Sequence, residues 1–330
     1  MNKFKFWIDN ARPISLPQSM LPALTAVALC VGSGSFSVVA AIASVIGVIC
    51  LHLGLNLLDD WYDYKVGSAD ARQAVANEGF RGRMTKYPYL TSGEATPAQL
   101  LKVVFCFLGV AALMGLVVMY IRGWMILGWM TAGLLIGVSY SGWPLKLGFR
   151  GLGELVIFLM FGPLMMTGVY YAVTGTLDWK ITWLSIAVGL LVTNIVYSHS
   201  VLDAIPDQKM GKKTMAHLMG SAKGQIFLSA FLNLVPYVMV VVAVILRQLH
   251  PAYLAVLVLL PISLWLVNSL NEHVNGREVE LETKKWMGNM GEWEKYKEAG
   301  VAWFLLRWLN ARNIVTRFCL IIIIVNLLTR

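Results

Sequence analysis

The 330-residue chain is short of charge: Asp, Glu, Lys and Arg together make up only 14% of it. A water-soluble domain carries about 25% charged residues, so this chain cannot cover an aqueous surface. Cysteine and histidine are also scarce, at four and five residues. Cys30, Cys50, Cys106 and Cys319 lie singly inside apolar runs, which excludes a disulfide framework and a Cys/His zinc site and leaves them as small apolar side chains. The apolar runs do not alternate with polar residues, so a membrane β-barrel is excluded. No P-loop, dinucleotide fingerprint, nucleophile triad or haem motif occurs. The opening MNKFKFWIDNARPISLPQ is amphipathic and lacks the apolar core and small-residue cleavage site of a secretory signal.

What is there in abundance is apolar: 58% of residues. Nine stretches are long enough, or nearly so, to cross about 30 Å of hydrocarbon as helices of roughly 20 residues. They run over about 16–34, 36–58, 99–121, 123–141, 152–173, 179–202, 224–246, 251–270 and 313–328. The last is short, and the apolar run Trp303–Leu309 is expected to extend it at an angle. With this span order, 23 of the 27 Lys and Arg residues fall on one side, leaving Arg122, Lys180, Arg247 and Arg330 on the other. The positive-inside rule then places the N-terminus in the cytoplasm and the C-terminus outside. Long cytoplasmic loops follow at about 59–98, 203–223 and 271–312. The net charge of +9 is explained by this asymmetry, and no nucleic-acid partner is expected. The expectation is an all-α membrane protein of nine transmembrane helices, a single domain over residues 1–330, embedded in a bacterial or archaeal cell membrane. The charged stretch within 271–312 is expected to carry an amphipathic surface helix or to be a solvated linker.

Five of the eighteen acidic residues sit at the cytoplasmic ends of two spans: Asp59, Asp60 and Asp63 after the second, Asp203 and Asp207 after the sixth. Asn56 and Asp60, Asp59 and Asp63, and Asp203 and Asp207 are each one helical turn apart. Pro206 is expected to end or kink the second of these helices. Clustered carboxylates at a membrane edge repel one another, and a divalent cation relieves that. Oxygen-only donors suit Mg²⁺, or Mn²⁺, and Mg²⁺ commonly shares its shell between one or two carboxylates and a substrate phosphate. Basic residues line the same loops: Arg81, Arg83 and Lys86, then Lys209, Lys212 and Lys213. Together they describe a site for a phosphorylated, lipid-like substrate. His199 stands one turn before Asp203 and reads either as its hydrogen-bond partner or as a contact to a second substrate. Tyr140 and Tyr197 offer π faces to a carbocation, or anchor span ends. Arg150 and Glu154 are expected to form an ion pair.

The stretches NLLDDWYDYKVGSAD (56–70) and LDAIPDQKMGKKT (202–214) resemble the two aspartate-rich motifs of the UbiA superfamily of intramembrane aromatic prenyltransferases. YSGWPLKLGFRGLGELVIFLMFGPLMMTGVYY (140–171) is similar to the 1,4-dihydroxy-2-naphthoate polyprenyltransferase (MenA-like) branch. The chain departs from that pattern in places. Asp59 stands where the first motif often has Asn, and Gly67 where it has its last Asp. Ser198, His199 and Leu202 stand where the naphthoate branch tends to place Asn and Arg. The resemblance implies a nine-helix bundle around an apolar chamber that opens to a cytoplasmic polar cap. It implies Mg²⁺-dependent transfer of a polyprenyl group from its diphosphate to an aromatic acceptor, 1,4-dihydroxy-2-naphthoate in menaquinone biosynthesis. Asp60, Asp63, Asp203 and Asp207 would hold the metal, with Asn56 and Asp59 as further ligands. Arg81, Lys86, Lys212 and Lys213 would neutralise the diphosphate, and Tyr140, Tyr197 and His199 would meet substrate. Membrane lipid would surround the bundle and admit the isoprenoid tail. The alternatives are a family member with another acceptor, or a secondary transporter using the membrane-end acids.

Overall fold

The computed structural model describes residues 3–67, 70, 87–142, 145–209, 211–277 and 280–329. Among these, every named element is a helix, with one isolated bridge between Arg150 and Lys213. An amphipathic helix α1 (Lys3–Asn10) leads through a turn into α2 (Pro17–Cys30). The long helices follow: α3 (Val38–Lys65), α4 (Pro97–Arg122), α5 (Ile126–Ser141), α6 (Gly153–Thr174), α7 (Trp179–Leu202), α8 (Ala222–Ile245), α9 (Pro251–Val274) and α10 (Ala302–Leu328). Seven of them, α3, α4 and α6 to α10, are long and apolar enough to cross a membrane; α2 and α5 are shorter apolar helices. The fold is that of a multi-pass membrane protein.

Local chemistry sets the helix ends. Ser37 and Ser221 cap α3 and α8 with their hydroxyls, Asp178 accepts from Ile181 N at the start of α7, and Thr96 with Gln99 forms a reciprocal capping box ahead of Pro97. At the far end of the bundle from the acidic motifs, Arg122 of α4 donates to the carbonyls of Ala172, Val173 and Ser35. It thereby satisfies the end of α6, which has no further helical partner.

Helix α7 is the core of the bundle, buried along nearly its whole length against α2, α6, α8 and α10. Within this apolar core, Asn194 of α7 and Asn233 of α8 exchange both amide hydrogen bonds, at 3.0 and 2.9 Å. Helix α4 lies at the opposite extreme, pairing with α3 and turning Phe105, Leu113, Leu116 and Tyr120 outward. Cys106 is exposed on this helix, while Cys30 and Cys319 are buried as expected, and all four cysteines are free.

Helix α6 is broken. Met160–Leu164 forms a wider turn in which Gly162 leaves the helical region (φ −103°, ψ −106°) just before Pro163. The break lets α6 approach α7 backbone to backbone. A β-carbon on Gly162 would lie 2.6 Å from both Gly189 Cα and Ser185 O, neither of which can rotate away. Gly162→Ala is therefore expected to push α6 from α7 and destabilise the protein by about 1–3 kcal/mol or more. Thermal unfolding in detergent reads this, and an unchanged midpoint would show the contact to be looser than described.

Three details differ from the sequence reading. Helix α3 runs on to Lys65, so Asp59, Asp60 and Asp63 lie within its last turns and not in a loop. The last apolar run belongs to one continuous 27-residue helix, α10. The charged stretch 284–301 is not a solvated linker, and the helix in it, Trp293–Glu298, is only six residues long. Its Met287, Met290 and Trp293 are buried against Ala302, Leu306 and Leu309 of α10. Asn313 and Arg317 hold it there through the carbonyls of Met287, Asn289 and Trp286.

Candidate active site

A chamber of about 870 Å³ lies between α2, α3, α4, α5, α6 and α7. Most of its wall is apolar, including Leu51, Leu55, Met130, Leu134, Phe161 and Met165. Its polar lining includes Arg12, Asn56, Asp59, Tyr140, Ser141, Glu154, His199, Ser200, Lys212 and Thr214 beside the acidic motifs, with Gln18, Ser44, His52 and Thr131 elsewhere on the wall.

The first acidic cluster is sewn to the N-terminal segment. Arg12 is in the left-handed region (φ 61°), which aims its guanidinium at 3.2 Å from Asp60 Oδ1 and 3.5 Å from Asp59 Oδ2. It also donates to Asn56 O at 2.6 Å. Burial alone would lower the Arg12 pKa, but Asp60 first and then Asp59 outweigh it and hold the group above its ordinary value. Asn56 Nδ2 in turn donates to Ala11 O and Ser15 Oγ. From the other side the Tyr89 hydroxyl donates to Asp60 Oδ2 at 3.0 Å, and Tyr87 donates to Asp63 O. Burial, followed by the adjoining Asp60 carboxylate, pushes the Tyr89 pKa upward. Asp59 faces the chamber and accepts from Ser141; Asp60 and Asp63 are buried beside it.

The second cluster forms where α7 stops. Asp203 leaves the helix (φ −99°, ψ 15°) and a short helix Ala204–Lys209 begins at once. The break thus precedes Pro206 by three residues, and the proline sits in a first turn where no N–H is needed. Asp203 and Asp207 are both fully buried. His199 Nε2 lies 3.3 Å from Asp203 Oδ2, as the one-turn spacing suggested, and the His199 ring lines the chamber. Lys212 Nζ lies 3.7 Å from Asp207 Oδ2, and neither Asp207 oxygen accepts a hydrogen bond among the described residues.

Carboxylates of both clusters act electrostatically on Tyr140. Its phenol is within electrostatic range of Asp59 and Asp63 from the first motif, Asp207 from the second, and Glu154. Glycine makes this position possible. A β-carbon on Gly153 would be 3.3 Å from the Tyr140 ring and 3.1 Å from Gly148 Cα, so the Gly-rich segment is the floor on which the ring lies.

Some sequence expectations are not met. Tyr197 is not at the chamber: it is fully buried in the helix core and donates to Gln225 O at 2.9 Å. Lys213 is exposed and does not line the chamber; its backbone pairs instead with the 149–151 turn, through Phe149 O and Gly151 N. Glu154 does not pair with Arg150. It is buried in the chamber wall, accepting from Ser200 Oγ at 2.8 Å and from Met215 N. Glu154, Arg12 and Tyr89 are the polar residues that sequence reasoning missed. Arg81, Arg83 and Lys86 lie outside the described residues.

The donors fit a hard divalent cation. They are all oxygens, and among the described residues buried Asp207 has only an ammonium 3.7 Å away to balance its charge. Among the described residues no three Asp, Glu, His or Cys side chains converge on one point. An ion here would complete its shell on substrate oxygens and water, as Mg²⁺ does.

A multi-pass helical bundle enclosing an apolar chamber with a polar, acid-flanked end is the class of protein that fold and site define. The chain belongs to the UbiA prenyltransferase family, whose model matches residues 19–281. It is similar to the 1,4-dihydroxy-2-naphthoate octaprenyltransferase of Bacillus subtilis, 26% identical over 250 residues covering 76% of this chain and 77% of that protein. It is also similar to the 2-carboxy-1,4-naphthoquinone phytyltransferase of a Synechocystis species, 23% identical over 82% of this chain and 83% of that one. Among solved structures, a UbiA homolog from Archaeoglobus fulgidus bound to GPP and Mg²⁺ shares the fold, with a TM-score of 0.56, 15% identity, and coverage of 96% of this chain and 99% of that one.

Proposed function

We propose that this protein transfers a polyprenyl group from polyprenyl diphosphate to 1,4-dihydroxy-2-naphthoate. The observation that carries the reading is that residues of both acidic motifs, Asn56 and Asp59 from the first and Lys212 and Thr214 from the second, line one chamber together with Tyr140. The relatives' names support the acceptor: one names an octaprenyl and the other a phytyl transfer, and both name a naphthalene acceptor.

Asp63, Asp203 and Asp207, with Asp59 and Asn56 at the chamber face, are the residues that would hold Mg²⁺. Asp60 is held by Arg12 and Tyr89 and positions that arginine. When bound, the metal would supply Lewis-acid stabilisation of the departing diphosphate. Lys212 and Arg12 add fixed positive charge at the same end. The allylic carbon, losing diphosphate, is attacked by the acceptor ring, whose attacked carbon then releases the proton it carried, or its carboxylate as CO₂, to restore aromaticity. The apolar chamber keeps water away from the cationic carbon. The faces of Tyr140 and Phe161 line that path. The isoprenoid tail extends along the apolar wall toward lipid.

The same reading makes the chain a single domain with nine crossings, α2 and α5 included, the acidic end in the cytoplasm and the C-terminus outside. Membrane-impermeant labelling of intact cells is expected to modify a cysteine placed at Arg247 and spare one at Lys223; the reverse pattern would invert the topology. For the function itself, purified protein, octaprenyl diphosphate, 1,4-dihydroxy-2-naphthoate and Mg²⁺ should yield a prenylated naphthalene product by mass spectrometry, with release of diphosphate. Absence of product with that acceptor, but transfer to another arene, would overturn the acceptor assignment.

A further inference from the structure

The metal and diphosphate reading leaves Glu154 without a task. It stands in the first turn of α6, 3% exposed, in the wall of the chamber. A carboxyl group at the edge of an apolar chamber is costly unless its oxygens are matched. Both are. Oε1 is 2.8 Å from Ser200 Oγ and 3.3 Å from Met215 N, and Oε2 is 3.4 Å from the same backbone nitrogen. Met215 opens the short helix Met215–Leu218, and the first N–H of a helix has no acceptor within it.

These two contacts mark the ends of one stretch of chain. Ser200 is in the last turn of α7, three residues before Asp203, and Met215 comes three residues after Lys212. Asp203, Asp207 and Lys212 all lie between them. Inside the stretch, Asp207 N donates to Asp203 O and Lys212 N to Asp207 O, both at 2.9 Å. Lys212 Nζ reaches the Asp207 carboxylate at 3.7 Å. The backbone of Lys213 ties the stretch to the residues that open α6, donating to Phe149 O at 3.3 Å and accepting from Gly151 N at 2.9 Å. The second motif thus hangs between α7 and the start of α6, and the Glu154 side chain touches both of its ends.

We propose that Glu154 is a positioning residue for the second acidic motif: its carboxyl group clasps Ser200 to Met215 and so fixes where Asp207 and Lys212 stand beside the chamber. This rests on the prenyltransfer reading above and adds to it a residue that lies in neither acidic motif. With both oxygens engaged by the chain, Glu154 acts through the loop and not on substrate. Ser200 Oγ also lies 3.1 Å from Val196 O, so the Met215 end is the stronger half of the clasp.

Hydrogen–deuterium exchange on the full-length, substrate-free protein in detergent reads the clasp without any assay of transfer. Amides over 204–215 are expected to exchange at least about tenfold faster in Glu154→Leu, whose side chain is of similar size and accepts nothing. Glu154→Gln, whose amide oxygen can accept from both Ser200 and Met215, should stay within about threefold of wild type. Kinetics should follow the same order. With Mg²⁺, Glu154→Leu is expected to raise KM for octaprenyl diphosphate about 10- to 100-fold, the range for leaving hydrogen-bonding groups unmatched. KM for 1,4-dihydroxy-2-naphthoate should change less than about threefold, and Glu154→Gln should recover most of the loss. Ser200→Ala releases one end only and should give a smaller rise of the same kind, which decides the matter if Glu154→Leu does not fold. Unchanged exchange over 204–215 in Glu154→Leu, or a Glu154→Gln protein as impaired as Glu154→Leu, overturns this inference alone. Faster exchange in that segment, in a protein whose wild type transfers a prenyl group to no arene, keeps the clasp and overturns the prenyltransfer reading.

Discussion

Replacing Asp207 with alanine is expected to lower prenyl transfer by about a thousandfold, on the order of 4 kcal/mol in the barrier, while leaving the bundle folded. Asp207 is fully buried, and its charge is balanced among the described residues by Lys212 alone, at 3.7 Å. It caps no helix in the apolar core, so truncation removes a ligand rather than a packing element. Asp63→Ala should behave alike, although it lies in the other motif, because both carboxylates are within electrostatic range of Tyr140. The double variant should be little worse than either single, as residues that act as a unit are strongly non-additive. Lys223, exposed beyond the second motif, is the control, and Lys223→Ala should transfer like wild type. Steady-state assays beside detergent melting curves check this. Near-normal transfer in both aspartate variants would dismiss the two-motif site.

Removal of divalent metal is expected to have an equally large effect. The described side chains do not gather three metal ligands at one point, so they cannot hold an ion tightly without substrate. EDTA should therefore abolish transfer at once, and Mg²⁺ should restore it fully, because the ion is exchanged with each substrate and is not part of the folded core. Mn²⁺, with a similar preference for oxygen, should substitute in part. The melting temperature of the substrate-free protein should barely respond to either treatment. Full turnover in metal-free buffer would contradict the role given to the acidic ends.

The fold was legible where physics is local. Runs of about 20 apolar residues admit one structure in a membrane, and the helices follow them closely. Both acidic motifs were legible too, because carboxylates at one-turn spacing are rare in so apolar a chain. What escaped detection depends on contacts between distant segments. Arg12 looked like one more basic residue near a terminus; only the left-handed turn at residue 12 carries it back to Asp59 and Asp60. Glu154 looked paired with Arg150, one turn away, yet the turn at 147–151 is stitched to the second motif, which leaves Glu154 to Ser200 and Met215. Tyr197 lies six residues before Asp203 on α7, close in sequence but turned into the α8 packing. The burial of Met287, Met290 and Trp293 was hidden because no single helix joins them, a short turn ending at Met287 and the next helix starting at Trp293, and α10 supplies the surface they cover.

The central claim is that both acidic ends hold one prenyl diphosphate through divalent metal. Binding of an unreactive prenyl thiolodiphosphate to the purified wild type, Asp63→Ala and Asp207→Ala proteins, with and without Mg²⁺, tests it most directly. The account predicts tight binding only for wild type with Mg²⁺, and a comparable loss in either variant. Binding that is indifferent to Mg²⁺, or that survives in one variant and not the other, would contradict it.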